Sequence, residues 1–124
     1  SDDKMSREMK NTISNMMKYD LKYGFIFVLV LSIFFNLEVA LIFFLGLMIS
    51  LINTSINGLV IEYSLLKDKK ILLPLSYVFR IIAIILIALP FLNNLIQLLS
   101  YISGYLAHFL LVVIYWLKKE KGSD

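Results

Sequence analysis

The chain has 124 residues, of which 60% are hydrophobic, and its mean hydropathy is +0.83. Soluble domains contain about 45–50% apolar residues, so a soluble core does not account for this excess, which occurs in long runs typical of an integral membrane protein. The net charge of +3 does not indicate nucleic-acid binding, because no basic soluble face with aromatic residues is present, and the lack of cysteine excludes disulfides, thiolate metal sites and cysteine nucleophiles.

The first part of the chain combines a polar segment with a helical apolar pattern. Met5, Met9 and Ile13 recur at steps of four residues, which is typical of an amphipathic helix. Residues 1–18 therefore form either a helix that lies on the membrane surface or a solvated extension of the first span. The apolar run that follows predicts a first transmembrane helix over residues 19–35, whose flanking lysines extend toward the membrane surface.

Three further apolar runs predict three more transmembrane helices. A very short connection at Asn36 joins the first two spans, and Glu38 suits the positive end of the helix that begins there. A basic loop over residues 67–70 precedes the third run, and Pro90 begins a turn before the fourth. The predicted spans are residues 37–63, 72–89 and 95–117.

Basic residues are distributed unevenly among the connecting segments. They occur in the N-terminal segment, in the loop over residues 67–70 and in the tail over residues 118–121, whereas the turns at Asn36 and Pro90 contain none. Cytoplasmic segments of membrane proteins carry such an excess. The sequence therefore predicts an all-α membrane protein with one domain over residues 1–124, four transmembrane helices in two antiparallel hairpins, and both termini in the cytoplasm.

One face of the second span is small or polar. Gly46, Ser50, Asn53 and Asn57 recur at steps of four, three and four residues, so they fall on the same side of a helix. Amide groups in hydrocarbon need hydrogen-bond partners, so we expect this face to point into a helix bundle rather than to lipid.

Two pairs of small residues have a spacing that lets helices approach closely. Gly46 and Ser50 form one such pair, and Ser100 and Gly104 on the fourth span form the other. The pairs either pack the four helices against one another or mark a surface for another membrane protein.

Arg80 lies inside the third span. An arginine at the centre of a membrane helix costs at least about 2.5–3.5 kcal/mol on insertion scales, so it needs partners or water. We predict that Arg80, Asn53, Asn57, Glu62 and His108 form one polar cluster in the cytoplasmic half of the bundle. The alternative is that Arg80 extends to the cytoplasmic surface and stabilises the orientation of the span.

His108 is the chain's single histidine and is interpreted either as a hydrogen-bonded structural residue or as a proton carrier. A haem held by His108 and Met48 is not expected, because no second ligand of good quality is present. The sequence contains no phosphate-binding glycine loop, no metal-ligand spacing and no nucleophile beside a base. We therefore expect no enzymatic activity, no metal and no cofactor.

Several features together resemble the ATP synthase protein I family, the small I subunit encoded with bacterial F-type ATP synthases. In the second span Gly46 is followed seven residues later by Asn53, and the third span carries Phe79-Arg80 near its start. The number, length and order of the four spans also agree with that family.

The resemblance implies a non-catalytic protein of the bacterial inner membrane that assists assembly of the rotor ring by binding c subunits. A surface of small residues and a few amides suits this role, because it can bind a partner closely and later release it. The resemblance also implies an alternative role in Mg²⁺ or Ca²⁺ uptake. Cation transport favours acids inside the membrane, yet Glu38 and Glu62 lie near its edges and Arg80 repels cations.

Two other classes of small membrane protein fit the composition. A four-span drug exporter needs a carboxylate deep in the first span, and residues 23–35 contain none. A holin-like effector has no specific sequence feature for or against it. Besides c subunits and membrane lipid, a second copy of the chain is the remaining candidate partner.

Overall fold

The computed structural model describes residues 2–120, with side chains for residues 7–119, and within this part the chain is all-helical. The predicted all-α class is therefore confirmed. Four α-helices and one short 3-10 helix follow one another: α1 (Asp2–Phe34), α2 (Leu37–Lys67), α3 (Leu72–Ala88), the 3-10 helix Leu89–Phe91, and α4 (Leu95–Glu120).

Three of the helices are long and apolar enough to cross a membrane, whereas the sequence analysis predicts four spans. They cover Leu37–Lys67, Leu72–Phe91 and Leu95–Lys119. The first helix is longer than any of these, but Lys18, Asp20 and Lys22 lie in its middle and shorten its apolar part.

The N-terminal segment continues into α1 without a break. Its helix runs from Asp2 to Phe34, and Met16 is buried. Met9 packs against Gly58 of α2, near the end of the bundle that is predicted to face the cytoplasm. A Cβ atom added to Gly58 would lie 3.1 Å from the Met9 sulfur. The segment thus runs along α2 as an extension of the helix, although Met5 of the predicted amphipathic pattern lies outside the described side chains.

Polar residues define the helix ends. The side chain of Asn36 accepts a hydrogen bond of 2.8 Å from the backbone N–H of Val39 and caps α2, as expected for a turn at this asparagine. The side chain of Asn94 caps α4 by accepting from two backbone N–H groups. Asp68 ends α2 in the left-handed region, at φ 53°, and its N–H bonds to the carbonyl of Ser64.

Helix α2 is the centre of the bundle. It packs most extensively against α4, next against α1, and least against α3. The fourth helix therefore has α2 as its main neighbour, and not α3 as two separate hairpins would require. No side chain of α3 is buried, and its link to α4 is a hydrogen bond of 3.2 Å from the Tyr101 hydroxyl to the Ile84 carbonyl.

Two glycines explain why α4 lies on α2. A side-chain carbon on Gly46 would stand 2.1 Å from the Tyr101 carbonyl oxygen, and one on Gly104 would stand 1.9 Å from the Phe43 carbonyl oxygen. Both clashes are with backbone, which cannot swing aside, so the two helices touch only because neither position has a side chain. Helix α3 contains no glycine and makes no comparable approach.

The small-residue pairs are thus used inside the bundle. Ser50 is fully buried on α2, and Ser100 is buried on α4, where its hydroxyl donates to the Ile96 carbonyl at 2.8 Å. Gly46 and Gly104 thus lie in the contact between α2 and α4, and a partner-binding role for these pairs stays a prediction.

Candidate functional site

Two polar clusters lie inside the bundle, on different sides of α2. The arginine cluster consists of Arg80 and Ser76 on α3 with Asn53 and Asn57 on α2. The histidine cluster consists of Asp20 on α1, Thr54 on α2 and His108 on α4.

In the arginine cluster the guanidinium of Arg80 bridges α3 and α2. Its Nη2 donates to the Asn57 side-chain oxygen at 3.1 Å, and its Nη1 donates to the Asn53 backbone carbonyl at 3.3 Å. Its Nε donates to the Ser76 carbonyl one turn earlier on α3, at 3.3 Å. The side chain is therefore directed toward α2, rather than along α3 toward the end of the span.

The acceptors around Arg80 are all neutral. Within the described residues the recorded ion pair joins His108 and Asp20, so no carboxylate balances the guanidinium charge. The Tyr77 ring lies 5.8 Å from the guanidinium carbon and adds a weak cation–π contact. Asn53 is also incompletely satisfied, because its side-chain nitrogen is buried and has no hydrogen-bond partner.

The histidine cluster is enclosed by three helices. One ring nitrogen of His108, Nδ1, contacts the Asp20 carboxylate, and the other, Nε2, lies 2.9 Å from the Thr54 hydroxyl oxygen. His108 is 0% exposed and Asp20 is 1% exposed. One carboxylate oxygen of Asp20 remains without a hydrogen-bond partner.

This arrangement fixes the imidazole ring at both nitrogens. When Nδ1–H donates to Asp20, Nε2 either accepts from the Thr54 hydroxyl as a neutral ring or donates to it as an imidazolium. The Thr54 hydroxyl suits both forms because it is donor and acceptor. The cluster therefore ties α1 to α4 across α2.

The single polar cluster expected from the sequence is thus divided between these two places. Arg80 lies with Asn53 and Asn57, whereas His108 lies with groups that the expectation did not include. The physical reason is that depth along a span does not fix the direction in which a residue points. Successive helical residues differ by about 100°, so Asn53 and Thr54 face different neighbours of α2 although they are adjacent in the chain.

Glu62 lies apart from both clusters, about one and a half turns beyond Asn57. It is 9% exposed and lines a cavity of about 660 Å³ between α2 and the first half of α3. Next to it a second cavity of about 500 Å³ is lined by Asn53 and Arg80. The two cavities share Ile56, Ser76 and Phe79, and together they are named the α2–α3 groove.

Asp20 is the functional candidate that the sequence reasoning missed, although it lies at the start of the predicted first span. The signal was present: Met9, Ile13, Met16 and Asp20 recur at steps of four, three and four residues, which places the acid on the apolar face of α1. A carboxylate in that position needs a buried partner, and His108 is the chain's single histidine.

A comparison with known proteins finds a match to one protein family. The family model described as ATP synthase I chain matches residues 15–106, which is more than half of the chain. The match includes Asp20, Thr54 and Arg80 and stops two residues before His108. No curated protein and no solved structure shows a significant match to the chain.

Proposed function

Because the chain belongs to the ATP synthase I chain family and is therefore an ATP synthase-associated membrane protein, we propose that it assists assembly of the c-subunit rotor ring of a bacterial F-type ATP synthase. In this role it holds c-subunit hairpins in the bilayer until they join the ring. It acts by binding and release and not by catalysis.

The observation that carries this proposal is the position of α3. This helix is long and apolar enough to cross a membrane, yet none of its side chains is buried in the bundle. Other members of the bundle have buried faces that hold them together. An α3 attached mainly to α2 therefore offers both of its flanks to an apolar helix from another protein.

We propose a four-span topology in the bacterial inner membrane for this function. Helix α1 runs antiparallel to α2 and packs along it, which supports α1 as a fourth spanning helix despite Lys18 and Lys22. Both ends of the chain and the connection after Lys67 then face the cytoplasm, where basic residues accumulate. Lys121 of the basic tail lies outside the described residues. A reporter fused to the C-terminus should be accessible from the cytoplasm alone.

Transport of Mg²⁺ or Ca²⁺ is the weaker candidate. Divalent cations favour several oxygen ligands at one place. In the described part of the chain no group of three or more histidine or acidic residues lies close enough to hold a metal ion. Asp20, one of the two acids buried in the described part of the chain, contacts His108, and Arg80 places a positive charge at the α2–α3 groove.

Deleting the gene in its host tests the assembly proposal. We expect membranes of the deletion strain to contain several-fold less assembled c ring, measured on gels that preserve the ring, with c-subunit synthesis unchanged. The tagged chain should restore the ring and co-purify with c subunits. An unchanged amount of ring together with no co-purification would contradict the proposal.

A further inference from the structure

We propose that the α2–α3 groove is a docking site for a transmembrane helix that carries one carboxylate near the middle of the membrane, and that Arg80 receives this carboxylate. The inference rests on the proposed function in one respect, since it takes the partner to be a membrane-embedded helix. It adds the chemistry by which that helix is recognised.

The first argument is the unbalanced charge of Arg80. Its guanidinium has five N–H groups, and three of them donate to the neutral acceptors described above. Two N–H groups and one full positive charge are left at a place surrounded by apolar side chains. A carboxylate is the group that satisfies both, because it accepts paired hydrogen bonds from a guanidinium and neutralises it.

The second argument comes from Asn53. Its side-chain nitrogen is buried without a hydrogen-bond partner, and the residue lines the same cavity as Arg80. The residue that carries the unsatisfied donor thus lines, together with Arg80, one space of about 500 Å³, and a small rotation of its side chain would bring the amide to a ligand there. A carboxylate placed there has two oxygens, enough to accept from Arg80 and from Asn53 together.

The third argument is the shape of the groove. Along α2 it extends from Ile49 to Lys67, a distance of about 27 Å at the rise of an α-helix. This is close to the hydrocarbon thickness of a bilayer, which is roughly 30 Å. Its walls are mostly aliphatic or aromatic, as in Ile52 and Phe79. The groove therefore fits the side of a spanning helix along its whole length.

The depth of Arg80 favours a helix over a lipid headgroup. Arg80 lies eight residues after Leu72 and eleven before Phe91, so it is about 12 Å and about 16 Å from the two ends of the span. Phosphate groups of lipids stay at the membrane surface, whereas a carboxylate on a spanning helix reaches this level. Acyl chains, which otherwise fill the groove, offer no hydrogen-bond acceptor.

A binding experiment in vesicles tests the proposal. The full chain is reconstituted in phosphatidylcholine vesicles at pH 8 with a dye-labelled synthetic leucine–alanine peptide that spans the membrane and has one glutamate at its centre. The matched control is the same peptide with glutamine. Energy transfer should show at least tenfold tighter binding of the glutamate peptide, and Arg80→Gln should abolish the difference. Equal binding of both peptides, or a difference that survives in Arg80→Gln, would overturn the proposal.

Further variants separate docking from folding. Arg80→Gln must keep the helix content of the parent chain by circular dichroism, and Lys67→Gln, which removes a cation at the end of the groove, should leave the preference for glutamate unchanged. Asn53→Leu should reduce that preference by several-fold without abolishing it. A preference that persists in Asn53→Leu but disappears in Lys67→Gln would contradict the assigned site.

Two other occupants give distinct results. If phosphatidylglycerol displaces the glutamate peptide from the parent chain but not from Arg80→Gln, a lipid headgroup is the ligand and the proposal fails. If the chain forms dimers that Glu62→Gln and Arg80→Gln both dissolve, the groove binds a second copy and the proposal fails as well. Because the assay contains no c subunits, failure here leaves the deletion experiment on ring assembly unaffected.

Discussion

Asp20 and His108 are 88 residues apart in the chain, and their side chains meet inside the bundle, where both are almost completely buried. Helices α1 and α4 touch over a much smaller area than either shares with α2. Besides this pair, contacts near the end of the bundle join them: Tyr19 meets Tyr115 edge-on at 5.5 Å between ring centroids, and the Lys118 ammonium lies 5.9 Å from the centroids of the Tyr19 and Tyr23 rings. The buried pair is therefore the main specific link that closes α1 onto α4.

Removing one member of this pair should be costly. Asp20→Ala or His108→Ala leaves a buried polar group without its partner, and breaking a buried ion pair in this way costs about 3–5 kcal/mol. Both single variants should lower the free energy of unfolding in detergent by such an amount. The double variant should lose clearly less than the sum of the two single losses, and simple additivity would show that the two side chains do not interact.

The Thr54 hydroxyl should contribute less than the pair itself. Thr54→Val keeps the shape of the side chain but removes the hydrogen bond to His108, which is worth about 0.5–1.5 kcal/mol. Thr54→Ser keeps the hydroxyl and serves as the matched control. Unfolding in detergent should rank the serine variant above the valine variant, and the reverse order would contradict the assigned contact.

The glycine contacts between α2 and α4 predict a graded response to alanine. At Gly46 and Gly104 the added carbon meets backbone of the other helix, so each substitution should destabilise the bundle by about 3 kcal/mol or prevent its folding. At Gly58 the added carbon meets only the flexible end of the Met9 side chain, with the sulfur at 3.1 Å. Gly58→Ala should therefore be neutral or slightly stabilising, since alanine favours a helix by up to about 1 kcal/mol over glycine. Equal losses of stability at all three positions would indicate a general effect of alanine and not a close contact between α2 and α4.

These residues also show how far sequence reasoning reaches. Helix positions and turns follow from hydrophobic length and from residues such as Asn36, because local chemistry decides them. The spacing of Gly46 and Gly104 predicted close approach, but it could not tell which helix each one faces. Arg80 lies within α3 and bonds to Asn53 and Asn57, two of the residues that the sequence grouped with it, whereas His108 was assigned to it on depth alone. The pattern of one helix shows which of its faces is buried, but which neighbour that face meets depends on how the helices pack.

Asn57→Asp separates the stability of the bundle from its proposed function. The substitution places a carboxylate where the Asn57 oxygen now accepts from Arg80 at 3.1 Å. The present bond already has one charged partner, and a carboxylate would in addition neutralise the guanidinium, so the free energy of unfolding should rise by up to roughly 1 kcal/mol. The internal carboxylate also occupies the guanidinium that we assign to the partner helix. The variant should therefore be as stable as the parent chain or more so, yet lose the preference for the glutamate peptide and support less ring assembly in cells.

The matched control is Asn57→Leu, which loses the hydrogen bond and some stability but leaves the charge of Arg80 open to the partner. It should therefore be less stable than the parent chain and keep the preference for the glutamate peptide. Retention of the glutamate preference in Asn57→Asp would mean that the guanidinium does not contact the docked helix.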